Sequence, residues 1–435
     1  MNAPASVQIG FDLSAVGSPT LFTLNDPVQG QLDSEYVLGG EIYEDVTTYV
    51  RGISIRRGRS RRLDRFQTGT ATVMFDNRSR AFDPSYTSSP YAGNIKPRRP
   101  IIISVGNEFL FTGLIEDWNL EYDLTGDSQA VAACVDGFVL LAGAELAAHT
   151  ASAQSSGERV SAVLDRTEVS WPAGARDIAT GSQALQADTV DSGTNVLSYL
   201  EKVQQTESGA LFIDADGVLT FRGSNTPSAA IRPVVFTNVL NDPDLSGYTD
   251  PDTSYNDPVV DYSKPGIPGT LIPFREIAVE YGTETLFNRV TLSRDGSSTV
   301  ATANDLTSQA EFGVATLSAD NLLFASDDQL EPMSSFLVNR YGTPQVRIRQ
   351  IGLDITNNPE ASTLLDLEFG DVVRCRFKPN GIGEPIDQYL TVEGIEHEVT
   401  HLIHRMRFQF GLITYFPFEL GSSDYGILDT NVLGL

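Results

Sequence analysis

Thr70-Ala-Thr-Val-Met-Phe75, followed by Ile101-Ile-Ile-Ser-Val105, Phe109-Leu-Phe-Thr-Gly-Leu-Ile-Glu-Asp-Trp118 and Gln129-Ala-Val-Ala-Ala-Cys-Val135, is the stretch whose reading decides the fold. Ala71, Val73 and Phe75 alternate with Thr70 and Thr72, the period of a strand with one buried face. Asp76-Asn77 opens a long loop rich in Pro, Ser and Tyr. It ends at Lys96-Pro-Arg-Arg-Pro100, where two prolines forbid helix and favour extended chain. Gly113 falls inside the longest of these segments, a place for a bulge or a close backbone approach. The stretch from Gly69 to Gly137 therefore reads as a small antiparallel β unit.

A second unit of the same layout closes the sequence. Arg347 to Ile355 alternates, Phe369-Gly-Asp371 turns, and Val372-Val-Arg-Cys-Arg-Phe377 is a strand. Tyr389-Leu-Thr-Val-Glu-Gly-Ile-Glu396 carries Gly394 where the first unit has Gly113, and Arg405-Met-Arg-Phe-Gln-Phe410 alternates again. Residue identities do not recur, but the order of strand, loop, strand, bulged strand and closing strand does, which predicts a diverged internal duplication.

Composition sets the outer limits. With 435 residues the chain has room for two to four domains. No apolar run approaches the roughly 20 residues that span a bilayer. Met1-Asn-Ala-Pro-Ala-Ser has neither a basic start nor an apolar signal core, so neither membrane insertion nor secretion is expected. Cys134 and Cys375 are too few for a disulfide scaffold and read as reduced, strand-buried thiols. Fifty-seven acidic against 30 basic side chains give a formal charge of −27, which opposes sequence-independent nucleic-acid binding.

In order, residues 1–30 read as a polar arm, 31–146 as the first β domain, and 147–270 as an α+β insertion ending in an acidic loop. Residues 271–342 read as linking strands and helices, 343–415 as the second β domain and 416–435 as a tail. The fold class is mainly β with an α+β insertion. Within the insertion, Ser155-Ser-Gly-Glu158 spells a capping box, a helix runs from near Asn195 to Glu207, and Asp216-Gly217 turns a hairpin. Asp242, Asp244, Asp250, Asp252 and Asp257 match no EF-hand spacing and read as a solvated loop.

Two clusters could carry chemistry. The basic run Arg51, Arg56, Arg57, Arg59, Arg61, Arg62 and Arg65 lacks interleaved aromatics and lies in an acidic chain, so a charged contact to neighbouring subunits is preferred over nucleic acid. An ordinary edge strand guarded by charge is the remaining reading. His397-Glu-Val-Thr-His401 spells H-E-x-x-H, which binds zinc only when both imidazoles share a helical face. Val399 and Thr400 are β-branched and the flanks read as strands, so His397, Glu398 and His401 are assigned to a polar hairpin tip rather than a metal site, although His404 could be argued as an extra ligand. No P-loop, Rossmann fingerprint or G-x-S-x-G elbow occurs, no catalytic residue can be named, and no cofactor is expected.

The string from Gly58 through Asn77, with Phe82-Asp-Pro84, Ser89-Pro-Tyr91, Ile95-Lys-Pro-Arg-Arg-Pro100, Phe111-Thr-Gly113, Cys134-Val-Asp-Gly-Phe138, Trp171-Pro-Ala-Gly-Ala-Arg-Asp-Ile178, Phe287-Asn-Arg-Val290 and Val392-Glu-Gly394, resembles the minor tail proteins of long-tailed phages. More narrowly, it resembles their baseplate hub or tail-hub protein, over about residues 40–415. The resemblance implies two tail-tube-like antiparallel β-barrel or sandwich domains in one chain, similar to the hub of contractile tails and the base of type VI secretion spikes. It implies a homotrimer that mimics sixfold symmetry, at the virion tail tip, assembled in the host cytoplasm. Its implied partners are the distal tail protein, the tape measure protein and a central fibre, with DNA passing and not specifically bound. Many such hubs carry a C-terminal fibre or wall hydrolase; here the expectation is a hub without one. A hexameric distal tail adaptor is the alternative, and a zinc peptidase or cell-wall hydrolase resting on His397 to His401 is disfavoured.

Overall fold

The computed structural model describes residues 5–12, 41–61, 64–223, 231–238, 270–356 and 358–413, together with short strands at 417–418 and 432–433. Fourteen strands join in one sheet: β1 Ala5–Asp12, β2 Glu41–Asp45, β3 Val50–Gly58, β4 Gln67–Asp76, β5 Pro100–Val105, β6 Glu108–Glu121 and β7 Gln129–Val135, then β8 Ile231–Thr237, β9 Thr270–Pro273, β10 Glu276–Glu280, β11 Arg347–Asp354, β12 Val372–Phe377, β13 Ile386–Thr400 and β14 His404–Leu412. Their lateral order is β3-β4-β7-β6-β5-β1-β2 in the first half and β10-β11-β14-β13-β12-β8-β9 in the second. Each strand of the first unit therefore has a counterpart seven strands later, in both sequence order and sheet position.

The duplication extends to the bulges. On β6 the ladder to β7 slips between Ile115 and Asp117; on β13 the ladder to β14 slips between Val392 and Gly394. Leu114 faces Pro100 at the start of β5, and Thr391 faces Val372 at the start of β12, so Glu116 and Glu393 are equivalent extra residues. Gly113 and Gly394, expected to correspond, are thus four positions out of step. Gly113 is needed for close packing, since a Cβ there would lie 2.3 Å from the Val135 carbonyl oxygen. The halves differ at their outer strands: β1 is antiparallel to β5 and to β2, whereas β8 runs parallel to both β12 and β9.

Alternation explains the core. Ile53 and Ile55 of β3, Ala71, Val73 and Phe75 of β4, and Ile101 and Ile103 of β5 are buried on one face, and Ser54, Arg56, Thr70, Thr72 and Met74 are exposed on the other. The Pro-, Ser- and Tyr-rich loop covers the buried face. Phe82 stacks on Phe75 at 4.4 Å and on Trp118 at 5.7 Å between ring centroids, while Asn77 Oδ1 accepts from Phe82 N. Burying such a ring contributes about 2–3 kcal/mol, enough to hold a segment that has no regular secondary structure of its own.

Two expectations are overturned. Ala5–Asp12 is not a coreless arm: Val7, Ile9 and Phe11 are buried, because their alternation pairs with β5 on one side and β2 on the other. The rest of that arm, residues 13–30, lies outside the described residues. Nor is the stretch to residue 270 wholly linker, since β8 buries Val234, Val235 and Phe236 between β9 and β12. The second unit thus begins at Ile231, before the boundary expected at 270. The five aspartates from Asp242 to Asp257 also lie outside the described residues.

Two smaller bodies are set into this frame. Between the units, helix α1 (Ser156–Leu164) begins with the capping box read from the sequence: Ser155 Oγ accepts from Glu158 N, and the Glu158 carboxylate accepts from Ser155 N. Helix α2 (Val196–Glu207) is capped by Asn195 and packs on α1 through a shared apolar core. Between β10 and β11, helix α3 (Leu330–Tyr341) lies on a three-stranded sheet of 289–294, 300–304 and 316–322 with a separate core around Val290, Phe324 and Leu337. No described helix is long and apolar enough to cross a membrane.

Candidate functional site

The two units meet at a seam. The first half of β13 lies beside β12. Past the bulge, its second half lies beside β3, from Gly394 opposite Gly58 to Thr400 opposite Gly52. One strand thus belongs to both sheets and makes them continuous.

Backbone geometry at the crossing requires glycine. Gly58 has φ of 95°, and a Cβ there would meet Glu393 O at 2.4 Å and the Phe369 ring at 2.7 Å. Arg59 N then donates to Glu393 O at 2.8 Å, extending the ladder beyond the strand. On the core side Ile53, Ile55 and Arg57 face Val399, His397 and Ile395, all buried.

The basic run lies along this seam. Arg59 and Glu393 approach to 2.7 Å, both nearly inaccessible, and the Arg59 guanidinium stacks 4.4 Å above Phe66. Arg57 donates to both oxygens of Glu368 at 3.0 and 3.2 Å and lies over Phe369. Arg56 faces Glu396 at 3.5 Å, Arg61 meets Glu284 at 2.6 Å, Arg65 meets Glu201 of α2 at 2.5 Å, and Arg51 bridges Asp76 and Asp127. Arg62 lies outside the described residues. The described arginines thus find carboxylates in their own chain, where the sequence reading expected neighbouring subunits. They join β3 to the second unit, to the segment after β10 and to α2. Strand alternation explains the division: odd-numbered Arg57 points into the core, and even-numbered Arg56 points out.

Buried acids surround the same junction. Asp136 is pushed up to about 7 by burial, although Gly69 N and Phe138 N both donate to it. Burial likewise pushes Asp214 up to about 6, with Glu368 adding repulsion, and Asp371 up to about 6.

The H-E-x-x-H string is extended chain. His397 and Glu398 lie in β13, and His401 is exposed at the turn into β14. His397 is therefore not at a hairpin tip as expected. It is buried opposite Ile55, with Nδ1 3.1 Å from Nε2 of His404. Burial lowers both imidazoles, His404 to about 4. Glu398 points outward, 3.7 Å from Arg405. Among the described residues, no group of three or more His, Cys, Asp or Glu side chains gathers as a metal cluster would. Cys134 and Cys375 are free and buried, and burial raises both thiols.

The sequence reading did not pick out Glu368 or Glu393, the two acids that complete the seam. A glutamate at a bulge between two apolar β-branched residues, as in Val392-Glu-Gly-Ile395, was the available signal.

No protein-family model matches the sequence, and neither does any curated protein. Solved structures do match in shape. The tail protein from Neisseria meningitidis MC58 aligns over 94% of this chain and 97% of its own, with a TM-score of 0.57 at 10% identity. The 43 kDa tail protein of prophage MuSo2 from Shewanella oneidensis aligns over 94% and 98%, with a TM-score of 0.52 at 12% identity. Both matches run nearly end to end, through the twin sheets and the bodies set into them: the chain has the fold of phage tail proteins.

Proposed function

We propose that the protein is a non-enzymatic structural component of a phage tail, the hub ring of the tail tip. Three copies place six equivalent sheet units around a channel. The ring matches a sixfold tail tube or distal tail ring on one side and a threefold fibre or spike on the other. The observation that carries this reading is the seven-for-seven correspondence of strands between two units of one polypeptide. A protein working as a sixfold ring of single units has no need of the second.

The outward sheet face is suited to a channel that DNA passes without adhering. It carries Thr70, Thr72, Asn119 and Glu121, and three of its arginines are matched by acids, Arg56 to Glu396, Arg405 to Glu398 and Arg407 to Glu276. Cations already engaged in this way offer little to a phosphate backbone. The distal tail, tape measure and central fibre proteins are the partners such a ring would meet.

Native mass measurement of the purified protein tests the reading. Three times the 47.2 kDa chain mass is expected; a stable monomer overturns the ring, and a hexamer replaces it with the distal adaptor.

A further inference from the structure

The seam joins β13 of the second unit to β3 of the first. Applying the same correspondence in the other direction, β6 of the first unit should meet β10 of the second. Within one chain it does not. Past its bulge, Asp117–Glu121 of β6 pairs with β7 alone, and β10 pairs with β11 alone, so each presents an outer edge with no strand beside it among the described residues. We propose that these two edges belong together between chains: β10 of one copy adds to the outer half of β6 of the next. This rests on the ring reading and supplies its joint, a heterologous contact that closes into a ring by repetition.

The internal seam fixes the register. Asp117 and Gly394 both follow the shared bulge, which makes Glu121 equivalent to Glu398. Ser54 faces Thr72, and Ala278 faces Gln350, at matching places in their sheets. Because Glu398 faces Ser54, Glu121 is placed opposite Ala278. Leu120 then meets Val279, Tyr122 meets Ile277, and Trp118 meets Tyr281.

Three features of the open edges fit this pairing. Three of the six core-side positions are apolar yet uncovered, with Tyr122 53%, Val279 41% and Tyr281 65% exposed, while their counterparts Val399, Ile55 and Arg57 are all below 10%. An aromatic and aliphatic row left wet at two sheet edges is a hazard for a chain that stays single. The position equivalent to Gly58 is also glycine. Gly282 has nothing within 4 Å of an added Cβ, whereas Gly58 is required by the strand crossing above it. Finally, Asp117 and Glu121 are exposed and point to the side opposite the core, as Glu398 does at the seam, so the pairing buries no carboxylate there.

Disulfide trapping tests it with the full-length chain, whose two native thiols are buried. Glu121→Cys with Ala278→Cys should give chain-to-chain disulfides up to a closed trimer on a non-reducing gel. Glu121→Cys with Glu276→Cys, two residues out of register, should not, because a disulfide needs Cβ atoms about 4 Å apart. Val279→Asp should weaken association at least about tenfold by putting a charge into the joint, with unchanged circular dichroism showing the chain still folds. A trimer by mass in which neither cysteine pair links, or only the out-of-register pair does, overturns the joint and leaves the ring standing. A monomer with no link overturns both.

Discussion

The β3–β13 seam and the open edges of β6 and β10 occupy equivalent places in the duplicated sheet, yet they are built differently. The seam encloses ion pairs, Arg59 on Glu393 and Arg57 on Glu368, with a buried histidine pair further along the strand, beyond Arg57. The open edges place Trp118, Leu120, Tyr122, Val279 and Tyr281 at the same positions and no arginine. A contact made once, within one chain, can rely on buried charges because the partner is always present. A surface that exists alone in water before assembly cannot, since a buried charge that loses its partner costs about 3–5 kcal/mol.

The largest effect that would break this comparison is at the ion pair. Arg59→Ala should cost about 3–5 kcal/mol by urea unfolding, because the buried Glu393 carboxylate loses its guanidinium partner. Arg59→Met combined with Glu393→Leu should recover most of that loss. If the single and double variants are equally unstable, charge compensation is not what the seam depends on. Next is the apolar side. Ile395→Ala should cost about 2–4 kcal/mol, whereas Leu120→Ala at the open edge should cost the isolated chain under about 1.5 kcal/mol and instead weaken assembly.

The pH response sharpens the contrast. His404 binds its proton less readily in the fold, at about 4 against an ordinary 6.5. Its contribution is therefore present above 6.5 and lost as pH falls towards 4, by about 3 kcal/mol. His404→Gln should flatten that acid-side loss in denaturation curves. The buried aspartates act in the opposite sense: Asp136, raised to about 7, favours the fold below its unfolded value of about 4, and this contribution fades as pH rises through 7. Smallest is His401→Ala, expected within about 0.5 kcal/mol of the parent, with bound zinc by elemental analysis unchanged.

Period-two alternation made β4 to β7 and β11 to β14 legible, the capping box at Ser155 made α1 legible, and the apolar stripe of Val196, Tyr199, Leu200 and Val203 made α2 legible. The strands that were missed depend on distant partners. Val7, Ile9 and Phe11 alternate clearly, but a single strand among prolines and glycines reads as a tail until β5 is known to lie beside it. β8 is harder still, because its parallel partner β12 leaves no local mark on residues 231–237. The seam was half visible: the arginines stand out in an acidic chain, but nothing in Arg57 or Arg59 names Glu368 or Glu393 across the fold. Gly113 and Gly394 were matched by identity, and the structure shows that the conserved feature is the extra residue at Glu116 and Glu393.

Arg59 and Glu393 are 334 residues apart in the chain. At the usual pace of synthesis the later residue leaves the ribosome on the order of tens of seconds after the earlier one. During that interval all seven strands of the first unit have already been made, and β3 is its naked border, with Ile53 and Ile55 on the strand that would otherwise recruit any passing extended segment. The run of like charges from Arg51 to Arg65 repels another nascent copy of the same border for as long as the wait lasts. The guanidinium groups that later bind the C-terminal half thus first protect the unfinished protein from its siblings on the same messenger.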